Sequence, residues 1–284
     1  MVANPASSEP YIGKLLTDSS FTVDQGVLDA YYQGLDLTPG DGSLIPSSVL
    51  SRPDNEYILE SGYSNRFGHL WVRQAWALFK PLQRDIHYQV RGEIRDIYQR
   101  RDRNVVQYQT SILAPDGELV ARSQHHQSFL RETNTGGEVR LRDPNAKPAA
   151  RGFEIPAGER FGGLERRITV EMCGRFFHGK SNYHTDLEAS KALGFKEIVI
   201  GGRMTMAYAV HTLEQHFGRA FQASGRIDVK FTNPLWANET IIARGVVTGP
   251  LADEPDRVGA FVWVAKPDGT VVLVGNASVA AQQS

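Results

Sequence analysis

The sequence predicts an α+β protein built from two tandem copies of one unit, and three observations carry that prediction. The first is a set of four short matches recurring at a near-constant interval along the 284 residues. The second is an amphipathic helical pattern over 202–217, where Met206, Val210, Leu213 and Phe217 fall at i, i+4, i+7 and i+11. The third is the run of strand-like segments on its C-terminal side, with proline-aspartate-glycine at a hairpin turn. One strand, one helix and a train of antiparallel strands form a unit in which the sheet can wrap the helix.

The matches come in order. Phe21-Thr22-Val23-Asp24 returns as Ile168-Thr169-Val170-Glu171, 147 residues on (21 to 168). Lys80-Pro81-Leu82 returns as Asn233-Pro234-Leu235 and Arg91-Gly92 as Arg244-Gly245, both at 153 (80 to 233, 91 to 244). Pro115-Asp116-Gly117 returns as Pro267-Asp268-Gly269 at 152 (115 to 267). A period this long is a domain rather than a solenoid repeat. The expected halves are residues 1–148, including a linker over 131–163 that is dense in Gly, Pro, Arg, Asn and Glu, and residues 149–284.

In the first half, residues 1–20 read as a lead-in and 21–24 as a short strand. Val27, Leu28, Tyr31 and Tyr32 share one helical face. Residues 37–43 (LTPGDGS) are a loop by composition. Residues 44–68 are ambiguous, and strands dominate from His69 to Phe129, broken by a charged hairpin at Arg100-Arg101-Asp102-Arg103. In the second half the expected elements are a strand over 168–173 and a short helix over 187–193. The long helix over 202–217 follows, with Gly218 as its C-cap. Strands are expected over 227–231, 240–247, 258–265 and 271–279.

Composition narrows the classes of function. A formal net charge of −1 gives no basic footprint for nucleic acid. No window approaches the roughly 18 apolar residues of a membrane span. The opening MVANPASSEPYIG lacks the basic region and apolar core of a secretory signal. The single cysteine, Cys173, cannot form an internal disulfide and reads as a buried bystander. These features lead us to expect a cytoplasmic protein with no nucleic-acid or membrane partner.

The chemistry-bearing stretch runs from 176 to 218. It places Asn182, Tyr183, His184, Thr185 and Asp186 in one polar run, and Gly201-Gly202 at the start of the long helix. Histidine titrates near neutral pH and suits proton transfer. Asparagine can orient a water but cannot serve as a base. Bare backbone amides at a helix start can stabilise a developing oxyanion, and glycine lets a carbonyl approach closely. Each has a plainer reading: a polar loop histidine, an aspartate N-cap at Asp186, a turn at the glycine pair. His211 and His216 lie within the long helix, and His125 and His126 point to opposite faces of a strand, so neither pair suggests a metal site. The arginine-rich hairpin reads as a solvated turn, with a CoA phosphate contact as the alternative.

In this order Gly179, Asn182, His184, Thr185-Asp186, Ala189, Gly194-Phe195 and Gly201-Gly202 resemble the signature of the MaoC-like hydratases and dehydratases, and Asn233-Pro234-Leu235 fits their later turn. The resemblance covers most of 165–280 and, more weakly, 20–130. It implies a tandem (double) hot-dog fold and a lyase acting on an enoyl-CoA or 3-hydroxyacyl thioester, carried by CoA or an acyl carrier protein. It implies no metal or separate cofactor, and a homodimer. His184, Asn182 and Asp186 are then the candidate catalytic residues, and Tyr183, Gly201 and Gly202 the substrate-binding ones. One departure stands out. The family's aspartate before the histidine is absent, with Gly179-Lys180-Ser181 in its place and the interval one residue shorter. This keeps open a non-catalytic acyl-thioester-binding protein, or a thioesterase. The first half has no histidine over 32–42, where the motif's counterpart falls, so one site per chain is expected.

Overall fold

The computed structural model describes residues 9–40, 42, 44–131, 154–177 and 182–281. The first half contains β1 (Ser19–Thr22), α1 (Gln25–Leu35), a 3-10 turn (Ser47–Leu50), α2 (Ser51–Glu56) and α3 (Ile58–Ser61). It continues with β2 (Leu70–Leu78), β3 (His87–Arg100), β4 (Arg103–Leu113) and β5 (Leu119–Leu130). The second half contains β6 (Glu159–Arg167), α4 (Val170–Phe176), α5 (Leu187–Ala192), α6 (Gly202–Phe217) and α7 (Arg219–Ser224). It ends with β7 (Arg226–Phe231), β8 (Thr240–Pro250), β9 (Arg257–Ala265) and β10 (Val271–Ala280).

All ten strands join one antiparallel sheet in the order β1-β3-β4-β5-β2-β7-β10-β9-β8-β6. The order is a palindrome when β1 to β5 are matched with β6 to β10, as a duplicated unit requires. Three of the four sequence matches fall at equivalent places: the loops after β2 and β7, Gly92 and Gly245 within β3 and β8, and the turns before β5 and β10. The first match spans both helix entries but two residues out of register, because the caps are Asp24 and Thr169, 145 residues apart (24 to 169). The halves meet at the β2–β7 seam, where Arg73 faces Lys230 and Ala77 faces Arg226. Arg73 donates from Nε to Asp228 Oδ1 across it at 2.7 Å.

In the second half the sheet wraps α6. Met204, Met206, Val210 and Leu213 are fully buried, whereas Phe217 is half-buried. Each fully buried side chain of this size is worth about 1.5–3 kcal/mol, so this helix anchors the half. In the first half the equivalent place falls to the short helical pieces of residues 47–61, the stretch whose sequence pattern was ambiguous. Polar Ser-Arg-Pro-Asp-Asn-Glu shows no apolar stripe because it is centred on a buried carboxylate. Asp54 Oδ2 accepts from Gln74 Nε2 at 2.7 Å and from Ser123 Oγ, and Tyr108 Oη donates to the Asp54 carbonyl at 2.7 Å.

Two expected elements differ. Residues 168–173 are the start of a helix and not a strand: Thr169 caps α4, its Oγ1 accepting from Met172 N at 3.2 Å. The β-branched Ile-Thr-Val run is overridden because Cys173 and Phe176, three residues apart, bury against α1. Gly34 makes that packing possible, since a Cβ there would sit 2.8 Å from the Phe176 backbone. The expected linker also ends early, because β6 pairs with β8 over Glu159–Arg167. Its Glu, Arg and Gly content concealed a strand and suits an exposed sheet edge, where charge opposes edge-to-edge pairing. The boundary expected at 148/149 lies outside the described residues.

Candidate functional site

The loop that carries His184 is held by its own backbone. Asn182 Oδ1 accepts from His184 N at 2.8 Å, and the Asn182 carbonyl accepts from Thr185 N and Asp186 N, each at 2.8 Å. Asp186 then caps α5, its Oδ1 accepting from Ala189 N at 2.8 Å. After α5 the chain turns at Gly194 (φ 84°) and runs beside the loop that follows β7. There Ile200 N donates to Leu235 O at 2.8 Å and Ala237 N to Ile198 O at 2.9 Å. This fixes the carbonyl of Val199 between them, and His184 Nδ1 donates to it at 2.7 Å.

That bond sets the tautomer: Nδ1 carries the proton, and Nε2 is left as an acceptor. Phe177 stacks on the ring at 4.4 Å and Tyr183 packs beside it at 3.9 Å. Burial pushes the His184 pKa down to about 4, opposed by the Val199 hydrogen bond and reinforced by the nearby His69 and Arg203. The imidazole is therefore neutral at pH 7.

His184 opens on a cavity of about 400 Å³ between the two halves. From the second half, Phe177, Tyr183, Gly201, Gly202 and Arg203 contribute to its wall. From the first half come His69, Trp71 and the hairpin Arg100-Arg101-Asp102-Arg103. Gly201 is the N-cap of α6 and supplies no side-chain partner for the helix amides; a Cβ at Gly202 would lie 2.6 Å from the Trp71 ring. The glycine pair thus keeps the helix entrance open where aromatic rings crowd it. Arg203 lies over Phe176 and Phe177 at 5.2 and 5.5 Å; burial lowers its pKa to about 10, which leaves it cationic at neutral pH.

Of the six residues expected at the site, Tyr183, His184, Gly201 and Gly202 line the cavity. Asn182 and Asp186 do not. Asn182 Oδ1 accepts from a backbone amide that shapes the histidine turn, and Asp186 Oδ1 from one that begins α5, so the geometry gives each a structural role. Residues 179–181, where the aspartate is missing, lie outside the described residues. The arginine hairpin is part of the cavity wall as well as a turn, and Arg103 Nη1 donates to Gly68 O at 2.7 Å. Sequence reasoning passed over His69, which sits beneath the same cavity at the start of β2; a lone histidine at a strand end carries no motif.

The other candidates are structural. His125 is sandwiched between Trp71 (4.5 Å) and Tyr108 (4.7 Å), and His126, on the opposite face, meets Tyr98 Oη at 3.1 Å. His216 stacks on Phe161 at 4.2 Å. The buried Cys173 thiol is pushed up to about 12 by desolvation, so it carries negligible thiolate at neutral pH. Among the described residues, no group of three or more His, Cys, Asp or Glu side chains could hold a metal ion.

A two-copy sheet folded around helices with a cavity between the copies is a double hot-dog protein. Residues 168–258 match the family model described as MaoC like domain, a stretch that contains His184 and the start of α6. A search of curated proteins finds no match. Among solved structures, a MaoC-like dehydratase from Phytophthora capsici is 19% identical with a TM-score of 0.70, covering 95% of this chain and 96% of its own. A Mycobacterium tuberculosis protein described as a double hot dog is 12% identical, with a TM-score of 0.62 and coverage of 96% and 97%. A structure provisionally assigned as an oleoyl thioesterase, from Lactobacillus plantarum, is 12% identical, with a TM-score of 0.57 and coverage of 95% and 97%. At these identities the likeness establishes the fold.

Proposed function

We propose that this protein is a hydro-lyase that adds water to, or removes it from, an acyl thioester of the enoyl or 3-hydroxyacyl type. The observation that carries the reading is His184, held by Val199 as a neutral Nδ1–H imidazole whose Nε2 has no partner among the described residues, in a cavity that also contains the start of α6, which has no side-chain cap among those residues. In hydration, Nε2 takes a proton from water as the water oxygen bonds to Cβ. The electron pair of the double bond moves toward the thioester carbonyl, and the resulting enolate takes the proton back from Nε2–H at Cα. The enolate oxygen meets the amides at the start of α6, which have no side-chain cap among the described residues, a type of contact worth about 3–4 kcal/mol in the barrier. The Arg203 cation, from the first turn of α6, lines the same cavity.

The basic wall of Arg100, Arg101, Arg103 and Lys230 suits a carrier with phosphates, so CoA or a phosphopantetheine-bearing carrier protein fits the reading. The test is hydration of enoyl-CoA substrates by wild type and His184→Ala. The expected result is turnover by wild type and a loss of about 10²–10⁴-fold in the variant. Equal rates, or a wild type no faster than buffer, would sink the assignment.

A second reading, a thioesterase, draws on the fold shared with the oleoyl thioesterase structure. Free thiol released from the substrate separates it from hydration, which leaves the thioester intact. Acyl-CoA binding with neither outcome would support a non-catalytic acyl-thioester-binding protein.

A further inference from the structure

We propose that His69, from the first half of the chain, is a second catalytic imidazole of the cavity, its Nε2 holding the water that His184 deprotonates. This rests on the hydro-lyase reading and assigns the second contact which that reaction needs. A water poised for attack presents two O–H groups. One must face the base, and the other must be held if the oxygen lone pair is to point at Cβ.

In the loop of His184, neither Asn182 nor Asp186 lines the cavity. Asn182 Oδ1 and Asp186 Oδ1 are taken by the amides of His184 and Ala189. Across the cavity, Gln127 Oε1 faces His125 Nε2 at 3.0 Å, and Ser128 Oγ donates to Leu70 O at 3.1 Å. The arginines of the hairpin only donate. Among the cavity's acceptors, which include Asp102 and Asn233, His69 is the imidazole set up as His184 is. Its Nδ1 donates to the Arg66 carbonyl at 2.7 Å, which leaves Nε2 as an acceptor with no protein hydrogen bond among the described residues. The residue is 7% exposed, and it lines the cavity.

Its placement is fixed from both halves. The neighbouring Gly68 donates to Leu193 O, at the end of α5, at 2.8 Å and accepts from Arg103 Nη1 at 2.7 Å. The His69 ring meets Tyr183 edge-on at 5.5 Å, and Tyr183 in turn packs against His184 at 3.9 Å. One tyrosine thus spaces two imidazoles, each anchored at Nδ1 by a backbone carbonyl. Burial, with the Arg66 and Arg103 cations, lowers the His69 pKa against the Arg66 carbonyl bond, so His69 too is neutral at pH 7. The reaction balances with this pair. One water proton goes to His184 Nε2 and from there to Cα. The other stays on oxygen, donated to His69 Nε2, and ends in the product hydroxyl.

The experiment measures kcat and KM for crotonyl-CoA hydration by wild type, His69→Ala and His69→Gln, each with a thermal melt and with added imidazole. We expect kcat of His69→Ala to fall about 100-fold with KM within about threefold, and imidazole to restore part of it. His69→Gln, which retains an acceptor oxygen, falls between the two. A His69→Ala variant with near wild-type kcat overturns the proposal. So does a kcat loss in both variants that tracks a lowered melting temperature and ignores imidazole, which would make His69 a packing residue. Active wild type with active His69→Ala removes only this inference; inactive wild type removes it together with the hydro-lyase reading.

Discussion

His184 Nδ1 and the carbonyl oxygen of Val199 lie 2.7 Å apart, and that bond links the histidine loop to the strand-like segment that leads into α6. Proton position, ring orientation and distance from the helix start are all set by it. It also determines the pH behaviour of the site. With its pKa held at about 4, by burial and by the cationic Arg203 and neighbouring His69, the imidazole stays a neutral base through the whole neutral range.

The acidic limb of kcat/KM should therefore bend near pH 4, not near the ordinary histidine value of about 6.5. Hydration rates from pH 8 down to 5 should be nearly flat, with folding followed by intrinsic fluorescence at each pH. A tenfold fall per unit beginning at about pH 6.5, in protein that stays folded, would mean that the base titrates like an exposed histidine.

Asp186 separates a cap from a catalyst. Its carboxylate accepts the Ala189 amide at the start of α5, so Asp186→Ala should lose about 0.5–2 kcal/mol of stability in urea melts. Asp186→Asn keeps a capping oxygen and should lose less. Both folded variants should keep kcat within about threefold of wild type, because Asp186 is not among the residues that line the cavity. An unchanged urea midpoint with a kcat collapse would return Asp186 to the chemistry.

The parts legible in the sequence were those governed by local rules. The 3.6-residue stripe gave α6 to the residue, Gly218 ended it, and the Pro-Asp-Gly turns marked the hairpins of both halves. What escaped obeyed tertiary rules. Ile168-Thr169-Val170 has strand propensity, yet Thr169 caps a helix whose burial against α1 is decided by Gly34, more than a hundred residues earlier. The edge strand β6 reads as linker because only Phe161 and Leu164 of its nine residues pack against the core, too few to show an apolar alternation. His184 was found through its neighbours in the chain. His69 has no such neighbours: only the β2–β7 seam and the Gly68–Leu193 hydrogen bond bring it to the same cavity. The hydrogen bonds of Asn182 and Asp186 to backbone amides were not legible either, because a polar run does not tell which side chains its own backbone will claim.

The last expectation concerns Glu214, on α6 away from the cavity. Its Oε1 accepts from Ser47 N at 2.7 Å and from Gln222 Nε2 at 3.4 Å, tying the central helix of one half to the first helical turn of the other. Burial raises its pKa to about 7 despite those bonds. A carboxyl raised above its unfolded value of about 4.3 contributes stability that is fully present below that value and is lost as the pH rises through about 7. The buried histidines act in the opposite sense. His125, depressed to about 3, and His126 and His184, each to about 4, resist protonation in the folded state, so their contribution is lost as the pH falls below about 6.5. Comparing wild type with Glu214→Gln cancels the histidines. Glutamine keeps an oxygen for Ser47 and cannot ionise, so its melting temperature relative to wild type should rise between pH 5 and pH 8. If the difference between the two proteins is the same at both pH values, Glu214 does not titrate in that window and its carboxylate is accommodated in the folded chain.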